Sequence, residues 1–404
     1  MKGNMKVACL LSALSVSAAL SLTASAQALS EQASQNVTAA GTAPVAFVYV
    51  SNTPGSGANK VNAYAAAANG KLTPISGSPF ADNLTSMVVN GKYLLGSNKA
   101  GVYVAAFAIQ PNGALHWTRS TNVVTYNSSG CGGNAPLILD HTGASLYVAG
   151  TAGSECDSTE HQSFTIDKPT GALHFLGSTS VTFLFDTPLT FSANNLYAYG
   201  TDCVNFQGNY TDTFHVYKRG SNGLLTLTAI NPPTPPPPTS GDFYCRSQTA
   251  ADPLNHVAVS VQAIDLSTSQ PDGQPQLATY TADASGNLTT TSTSGNMPGT
   301  AVGYVNNLSM SPSGKLLAVA GQNGLQIFHF NGKSPITAYT GLLTTDDVEQ
   351  CFWDNANHLY AISQTTGKLR VFTITPTSHS QATGSPYSIH APANIIVQPK
   401  TAAP

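Results

Sequence analysis

The feature that most constrains the fold is a unit of about 50 residues that recurs along almost the whole chain. Each unit contains an apolar strand, an alternating strand and a turn of the form Gly-x-Leu followed by Thr or His. The turns lie at residues 70–73, 113–116, 171–174, 223–226, 286–289 and, more loosely, 332–337. A degenerate seventh unit contains residues 368–374. Repetition of this kind predicts one closed domain built from equivalent blades.

The strands of each unit predict how the ring closes. Residues 326–330 and 368–374 alternate apolar and polar side chains, which is typical of half-buried strands. Four short strands in each of seven units predict an all-β, seven-bladed β-propeller with four-stranded blades. The first unit begins with its second strand at residues 45–50, whereas residues 393–397 resemble an inner strand without a following partner. We therefore expect the C-terminal strand to join the first blade.

The N-terminal segment has the pattern of a secretory signal peptide. Lys2 and Lys6 precede an uncharged apolar run at residues 7–22, and Ala24-Ser25-Ala26 offers small residues for cleavage. The run is shorter than the ~20 residues that a membrane span needs. The predicted organisation is a signal peptide at 1–26, a flexible segment at 27–44, one propeller domain at 45–398 and a tail at 399–404. We expect a soluble protein that is exported to the periplasm or the extracellular space.

Charge and composition argue against several kinds of partner. Removal of Lys2 and Lys6 takes the net charge from −3 to −5, and no basic patch remains to attract nucleic acid or anionic lipid. Charged residues make up 9% of the chain, against about 25% in ordinary globular proteins. The expected surface is neutral and rich in hydroxyl groups. We expect no nucleic-acid partner, no membrane span and a monomer.

The cysteines predict two disulfides. In a propeller, the loop between the second and third strands of a blade opens on the same face as the entrance to the next inner strand. This places Cys131 near Cys156 and Cys203 near Cys245, and exported chains can keep such bonds. Cys351 lies in the middle of a strand and is expected to be a buried free thiol. Because no cysteine has a CxxC spacing, no metal site is predicted. The sequence has no phosphate loop or nucleotide fingerprint, so no cofactor is predicted.

Alignment of the inner strands predicts which residues line the channel. The alignment gives columns of seven residues, with one residue from the same inner-strand position of each blade. Successive residues of a strand face opposite ways, so only one of two adjacent columns points squarely into the channel. The candidate ligand-binding residues are Ser86, Gln248, Asn306, Asn307, Gln350 and Asn394. Their neutral donors and acceptors suit a neutral polar ligand, or hold only water.

Three charged or titratable residues form a candidate catalytic group. Glu349 is the candidate base, Arg246 its electrostatic partner and His390 a proton carrier. The alternative is that the first two are rim charges and His390 is a loop residue. Three further histidines at turns are expected to be exposed, namely His141, His256 and His358.

Several segments resemble the YVTN and lactonase-type seven-bladed propellers. They are residues 47–52 (FVYVSN), 72–80 (LTPISGSPF), 310–315 (MSPSGK) and 384–387 (GSPY). Among such proteins, the 6-phosphogluconolactonases hydrolyse a sugar lactone, which implies a channel-face site of histidine, arginine and an acid. Their Gly-Pro-Arg-His element has no match at residues 134–137, and their Ala-Glu element is replaced by Asn306-Asn307.

The sequence favours a non-enzymatic function. The leading hypothesis is an exported propeller that binds a small neutral ligand, a glycan or another protein on its loop-rich face. The alternative is a diverged lactone hydrolase of the 6-phosphogluconolactonase type, whose family motifs this chain does not match. A third possibility is a structural spacer in a cell-surface assembly.

Overall fold

The computed structural model describes residues 43–53, 59–98, 103–123, 136–152, 158–182, 189–206, 209–230 and 232–402. In these ranges, thirty strands form seven antiparallel sheets. The predicted signal peptide lies outside the described residues, as do Cys131 and Cys156. Within the described ranges, the chain contains no helix with the length and apolar character to cross a bilayer.

The seven sheets are the blades of a seven-bladed β-propeller, as predicted. The first contains β1 (Ala46–Asn52), β2 (Lys60–Ala66), β3 (Leu72–Pro74) and β4 (Phe80–Ala81). The second contains β5 (Leu84–Val89), β6 (Tyr93–Asn98), β7 (Tyr103–Ile109) and β8 (Leu115–Asn122). The third contains β9 (Leu137–Leu139), β10 (Ser145–Ala152), β11 (Ser158–Ile166) and β12 (Leu173–Thr182). The fourth contains β13 (Thr190–Phe191), β14 (Tyr197–Phe206), β15 (Asn209–Arg219) and β16 (Leu225–Ile230).

The remaining blades follow the same order from the inner to the outer strand. The fifth contains β17 (Asp242–Ala251), β18 (His256–Asp265), β19 (Gln270–Ala282) and β20 (Leu288–Thr290). The sixth contains β21 (Val305–Met310), β22 (Leu316–Gly321), β23 (Gly324–His329) and β24 (Thr337–Thr344). The seventh contains β25 (Gln350–Trp353), β26 (His358–Ser363), β27 (Lys368–Thr375), β28 (Ser378–Gln381) and β29 (Tyr387–Ser388). The last strand is β30 (Pro392–Pro399).

The C-terminal strand closes the ring, which confirms the sequence prediction. Strand β30 pairs antiparallel with β1, with Val397 opposite Val48 and Ile395 opposite Val50. It therefore provides the inner strand that the first blade lacks. The first and last strands of the described chain therefore lie in one sheet, which closes the ring.

Burial explains the two hydrophobic patterns of the repeat. The second strands β1, β22 and β26 are buried along their whole length, as expected for continuous apolar runs with packing on both faces. Strand β27 alternates as predicted, but β23 is buried on both faces. Its polar residue Gln326 is accommodated there because its amide donates to the carbonyl of Thr340 and accepts from the Ala301 N–H.

The repeated glycine turn joins neighbouring blades. Its glycine has positive φ, for example +85° at Gly113 and +80° at Gly286, a conformation that other residues adopt at a cost. In three places, a tyrosine hydroxyl on the second strand of one blade donates to the glycine carbonyl of the next blade. These pairs are Tyr49 to Gly113, Tyr147 to Gly223 and Tyr199 to Gly286. The motif is therefore a joint between blades as well as a turn.

Substitution of Gly286 by alanine is expected to destabilise the fold by about 2–4 kcal/mol, as the sum of left-handed strain and overpacking. The new Cβ would lie 2.3 Å from Cδ1 of the Tyr197 ring. Gly91→Ala is a matched control, because Gly91 has φ of +89° and no heavy atom within 4 Å of the new Cβ. We expect the control to lose only about 1 kcal/mol. Equal losses in urea unfolding would contradict the packing argument.

The three turn histidines are not all exposed, contrary to the sequence prediction. His141 is exposed, but His358 is completely buried and its Nδ1 lies 2.7 Å from Oδ2 of Asp354. The same oxygen accepts a hydrogen bond from the Tyr360 hydroxyl. His256 is paired in the same way with the aspartate four residues before it. The aspartate that caps the turn also binds the imidazole, and this contact stabilises the ring in the protein interior.

Candidate functional site

The candidate site lies on one face of the ring, here called the top face. It is formed by the loops between the second and third strands of the blades and by the starts of the inner strands. The disulfide between Cys203 and Cys245 confirms one predicted pair and ties the fourth blade to the fifth on this face. Cys351 is a buried free thiol, as predicted, and burial raises its pKa. A neutral, enclosed thiol has no nucleophilic role.

Removal of the disulfide is expected to destabilise the protein by about 2–4 kcal/mol, because the bond closes a loop and restricts the unfolded chain. The sequence separation of the two cysteines is 42 residues. Urea unfolding of a Cys203→Ser/Cys245→Ser variant measures the loss, with Cys351→Ala as the control that keeps the bond. If the double variant and the wild type unfold at the same urea concentration, this linkage does not stabilise the fold.

Arg246 is buried and hydrogen-bonded to protein groups. Its side chain is 1% exposed, and its Nη2 lies 2.7 Å from Oδ2 of Asp212. Nε donates to both oxygens of the same carboxylate, and Nη1 donates to the Pro232 carbonyl. The guanidinium also lies 5.0 Å from the Phe214 ring centroid. These contacts hold the predicted electrostatic partner within the protein between β15 and β17.

Several of the candidate channel residues connect the inner strands of neighbouring blades. Among the described residues, four of their side chains accept a hydrogen bond from an inner-strand N–H of the next blade. They are Ser86 from Leu137, Asn307 from Cys351, Gln350 from Ile395 and Asn394 from Met87. In each case, the donor residue comes directly after the equivalent inner-strand position of the next blade. The sequence alignment thus put equivalent positions in register, but it did not anticipate that their oxygens join the blades.

The two other candidate channel residues lie on β17 and β21. The backbone N–H of Gln248 donates to the Ser260 hydroxyl. The amide of Asn306 donates to Oδ1 of Asp347 and to the Val348 carbonyl, both at 3.0 Å. Asn306 therefore orients a carboxylate at the entrance to the seventh blade.

Glu349 belongs to a hydrogen-bonded chain that crosses from the seventh blade to the first. Its Oε2 accepts from the Gln364 N–H at 2.8 Å. The Gln364 amide donates to the Thr53 hydroxyl, and the Thr53 N–H donates to the Ala391 carbonyl. His390 is exposed beside this chain, and its carbonyl accepts from the Asn52 amide. The structure thus links Glu349 with the segment that carries His390, whereas Arg246 is bound in a separate cluster with Asp212.

The surroundings of Glu349 shift the pKa of its carboxyl. Burial raises the pKa of this carboxyl, and the negative charge of Asp347 raises it further, although hydrogen bonds from backbone N–H groups oppose the shift. A half-buried carboxyl with a raised pKa can accept or donate a proton nearer to neutral pH than an ordinary glutamate. Within the described ranges, no group of three or more His, Cys, Asp or Glu side chains is placed to hold a metal ion.

An aromatic ring on the inner strand β25 is also accessible. Phe352 is 38% exposed and lies two residues after Gln350, on the same side of the strand. The equivalent residues of the first and second blades, Ile396 and Val88, are buried. Sequence analysis missed Phe352, Gln364 and Thr53. The spacing of Gln364 and Thr53 gives no signal, because they reach the top-face network from different blades.

Comparison with known proteins identifies the fold. No protein-family model and no curated protein sequence matches the chain. The solved periplasmic gluconolactonase of Pseudomonas aeruginosa is 14% identical, with a TM-score of 0.59 over 89% of this chain and 99% of that chain. The chain has the fold of the lactonase-type propellers.

Two further structures extend the comparison. A Bacteroides fragilis protein, provisionally named a 6-phosphogluconolactonase, is 14% identical with a TM-score of 0.58, over 89% of this chain and 99% of that one. A hypothetical selenium-binding protein of Sulfolobus tokodaii is 8% identical with a TM-score of 0.57, over 89% and 96%. At such low sequence identities, these likenesses establish a shared fold and nothing about activity.

Proposed function

We propose that the protein is exported and binds a neutral, hydroxyl-rich ligand such as a glycan, without a catalysed reaction, on its top face. The observation that carries the proposal is the position of Arg246. Its guanidinium is bound by Asp212 and a backbone carbonyl and is 1% exposed, so it faces protein groups. Hydrolysis of a lactone requires donors aimed at the developing oxyanion, and this buried cation is already bound to a carboxylate.

The groups that remain accessible at the top face suit a sugar. The network around Glu349 presents an amide, a hydroxyl and a half-buried carboxyl, from Gln364, Thr53 and Glu349. Such groups exchange hydrogen bonds with sugar hydroxyls. The exposed ring of Phe352, which is opposite Tyr360 towards the other end of β25, would offer an apolar surface to the C–H face of a glycan that extends along this strand. A binding site with a few oriented polar groups and an aromatic surface is typical of small-molecule recognition.

Export is supported by the chemistry of the cysteines. The Cys203–Cys245 disulfide is the kind of bond that persists in an oxidising compartment. The N-terminal signal pattern predicts the same destination. Cell fractionation tests the destination of the protein. N-terminal sequencing tests the cleavage site, and we expect Gln27 to be the first residue of the mature protein.

The ligand proposal is tested with the purified mature protein on a glycan array, followed by calorimetry with each glycan that binds. Phe352→Ala and Gln364→Ala are expected to weaken binding at least tenfold, because each removes one recognition element. Trp117→Ala is the matched control, since Trp117 is an exposed aromatic residue on the outer strand β8. If the control weakens binding as strongly as Phe352→Ala, the site is elsewhere. If no glycan binds the folded protein, the proposal is wrong.

A second candidate is hydrolysis of a lactone, and the raised pKa of Glu349 is the observation that favours it. In that reaction Glu349 would take a proton from the water that attacks the lactone carbonyl. As the ring C–O bond breaks, the Glu349 carboxyl would return this proton to the departing alkoxide oxygen. A panel of sugar and acyl lactones tests it. Our proposal expects no turnover above the buffer rate. Turnover that disappears in Glu349→Gln, with folding unchanged, would instead establish the hydrolase.

A further inference from the structure

The interface between the third and fourth blades contains a buried polar cluster that ligand binding does not use. His161 projects from β11, and His215 and Tyr217 project from β15; the two imidazoles are 2% and 3% exposed. The His161 and Tyr217 ring centroids are 5.1 Å apart, and those of His215 and Tyr217 are 6.2 Å apart. Two histidines therefore share one tyrosine across a contact between blades.

The position of this cluster follows from strand register. His161 is opposite Ala149 of β10, and Ser163, on the same face of β11, accepts a hydrogen bond from the Leu225 N–H of the fourth blade. On the other side, Tyr217 pairs with Ala198 in β14. The residues directly opposite His161 and Tyr217 in their own sheets are therefore alanines, which provide no counter-charge.

The ring atoms of the cluster have no hydrogen-bond partners among the described residues. These atoms are Nδ1 and Nε2 of His161, Nδ1 of His215 and Oη of Tyr217. The same protein contains the opposite arrangement at His358, whose Nδ1 lies on the Asp354 carboxylate. A buried polar atom without a hydrogen-bond partner destabilises the fold. The destabilisation becomes larger when an imidazole takes up a proton, because the cluster then contains a charge as well.

The groups that face the cluster do not offset a positive charge. From β10, β12 and β14, the facing residues are Tyr147, Ala149, Thr179, Ala198, Gly200 and Asp202. The Tyr147 hydroxyl already donates to Gly223. Asp140, at one end of the interface, is paired with Arg219 at 2.8 Å. Asp202 is opposite Thr213, two residues along β15 from His215, and Nδ1 of His215 and both ring nitrogens of His161 have no hydrogen-bond partner in the described part of the chain.

Burial keeps both imidazoles neutral at pH 7. It lowers the pKa of His161 to about 4, with a further contribution from the charge of His215, and it lowers the pKa of His215 to about 4. An unfolded histidine has a pKa of about 6.5. Between these values the unfolded chain binds more protons than the folded one, so stability falls as the pH decreases from about 6.5 to 4. Below about 4 the loss levels off.

We infer that His161 and His215 form an acid-sensitive latch, which holds the third and fourth blades together while both rings are neutral. Proton uptake by either ring places an uncompensated charge between the blades, and uptake by both adds repulsion between neighbouring cations. The contact between β11 and β15 is then the part of the ring that opens first. An exported protein meets the pH of its surroundings directly, so this response would operate where cytoplasmic buffering is absent. The latch does not depend on the proposed ligand site.

The test compares stability and amide hydrogen exchange at pH 7 and pH 4.5. Each buried histidine is expected to raise the unfolding equilibrium constant roughly 60-fold over this interval, from the linkage of proton binding to folding. After correction for intrinsic exchange, the amides of β11 and β15 should lose more protection than those of β22 and β26. The double variant His161→Leu/His215→Leu should be much less sensitive to acid. Uniform loss of protection around the ring, or an unchanged acid response in the double variant, would overturn the inference.

A matched control and a second measurement keep the test decisive. His174 is exposed on β12 of the same third blade, so His174→Leu should retain the acid response of the wild type. Should the double variant fail to fold, proton NMR of the wild-type histidine rings measures the same property directly. Two resonances should titrate near pH 4. If all ten histidines titrate at the ordinary value of about 6.5, the latch does not exist.

Discussion

Replacement of Arg246 by alanine is expected to lower the free energy of unfolding by about 3–5 kcal/mol. The substitution leaves the largely buried carboxylate of Asp212 without its charged partner, and it removes the guanidinium from the Phe214 ring. It also removes the donor to the Pro232 carbonyl, which anchors the loop between β16 and β17. Urea unfolding of the variant measures this effect directly.

A second ion pair provides the control. Arg370 and Asp346 are also 2.7 Å apart, but both side chains are more exposed than Arg246. We expect Arg370→Ala to cost about 1 kcal/mol or less. A double-mutant cycle with Asp212→Ala should show a coupling of several kcal/mol for the buried pair, since each single variant isolates one charge. If Arg246→Ala leaves stability unchanged but abolishes ligand binding or lactone turnover, Arg246 has the functional role that the sequence predicted.

The fold was predictable because its cause is periodic. A glycine with positive φ recurs at the same point of successive units, and a buried leucine lies two residues after it. Gly113 and Gly286 show what this glycine does in the fold. Both lie where one blade meets the next and accept a tyrosine hydrogen bond. Ring closure was also predictable from the sequence, because residues 393–397 had the pattern of an inner strand without a partner. Local preference and the overall architecture agree at each of these positions.

The candidate site was much less predictable, because its contacts cross between blades. Arg246 was a candidate electrostatic partner on its position alone, but its role depends on Asp212, which is 34 residues away in another blade. Asn307 was placed at the correct level, yet its oxygen binds the Cys351 N–H of the next blade. Burial of His358 depended on Asp354. No single-sequence pattern encodes which neighbouring loop supplies a partner.

Replacement of Asp354 by alanine is expected to cost roughly 4–5 kcal/mol, among the largest effects of a single substitution in this fold. The carboxylate is completely buried and accepts hydrogen bonds from four groups. These are the N–H groups of Ala356 and His358, the His358 ring and the Tyr360 hydroxyl. Alanine leaves all of them without an acceptor in the interior, and each orphaned group adds its own desolvation cost. Chemical unfolding of Asp354→Ala measures the sum.

Asp354→Asn separates the turn from the buried ring contacts. The equivalent turn of the second blade is already capped by an amide, because Oδ1 of Asn90 accepts the N–H groups of Lys92 and Tyr93. An asparagine at position 354 should therefore cap its own turn and lose only the charge-assisted contacts to His358 and Tyr360. We expect it to cost about half as much as alanine. Equal losses in the two variants would mean that the imidazole and the phenol, and not the turn, account for the stabilisation.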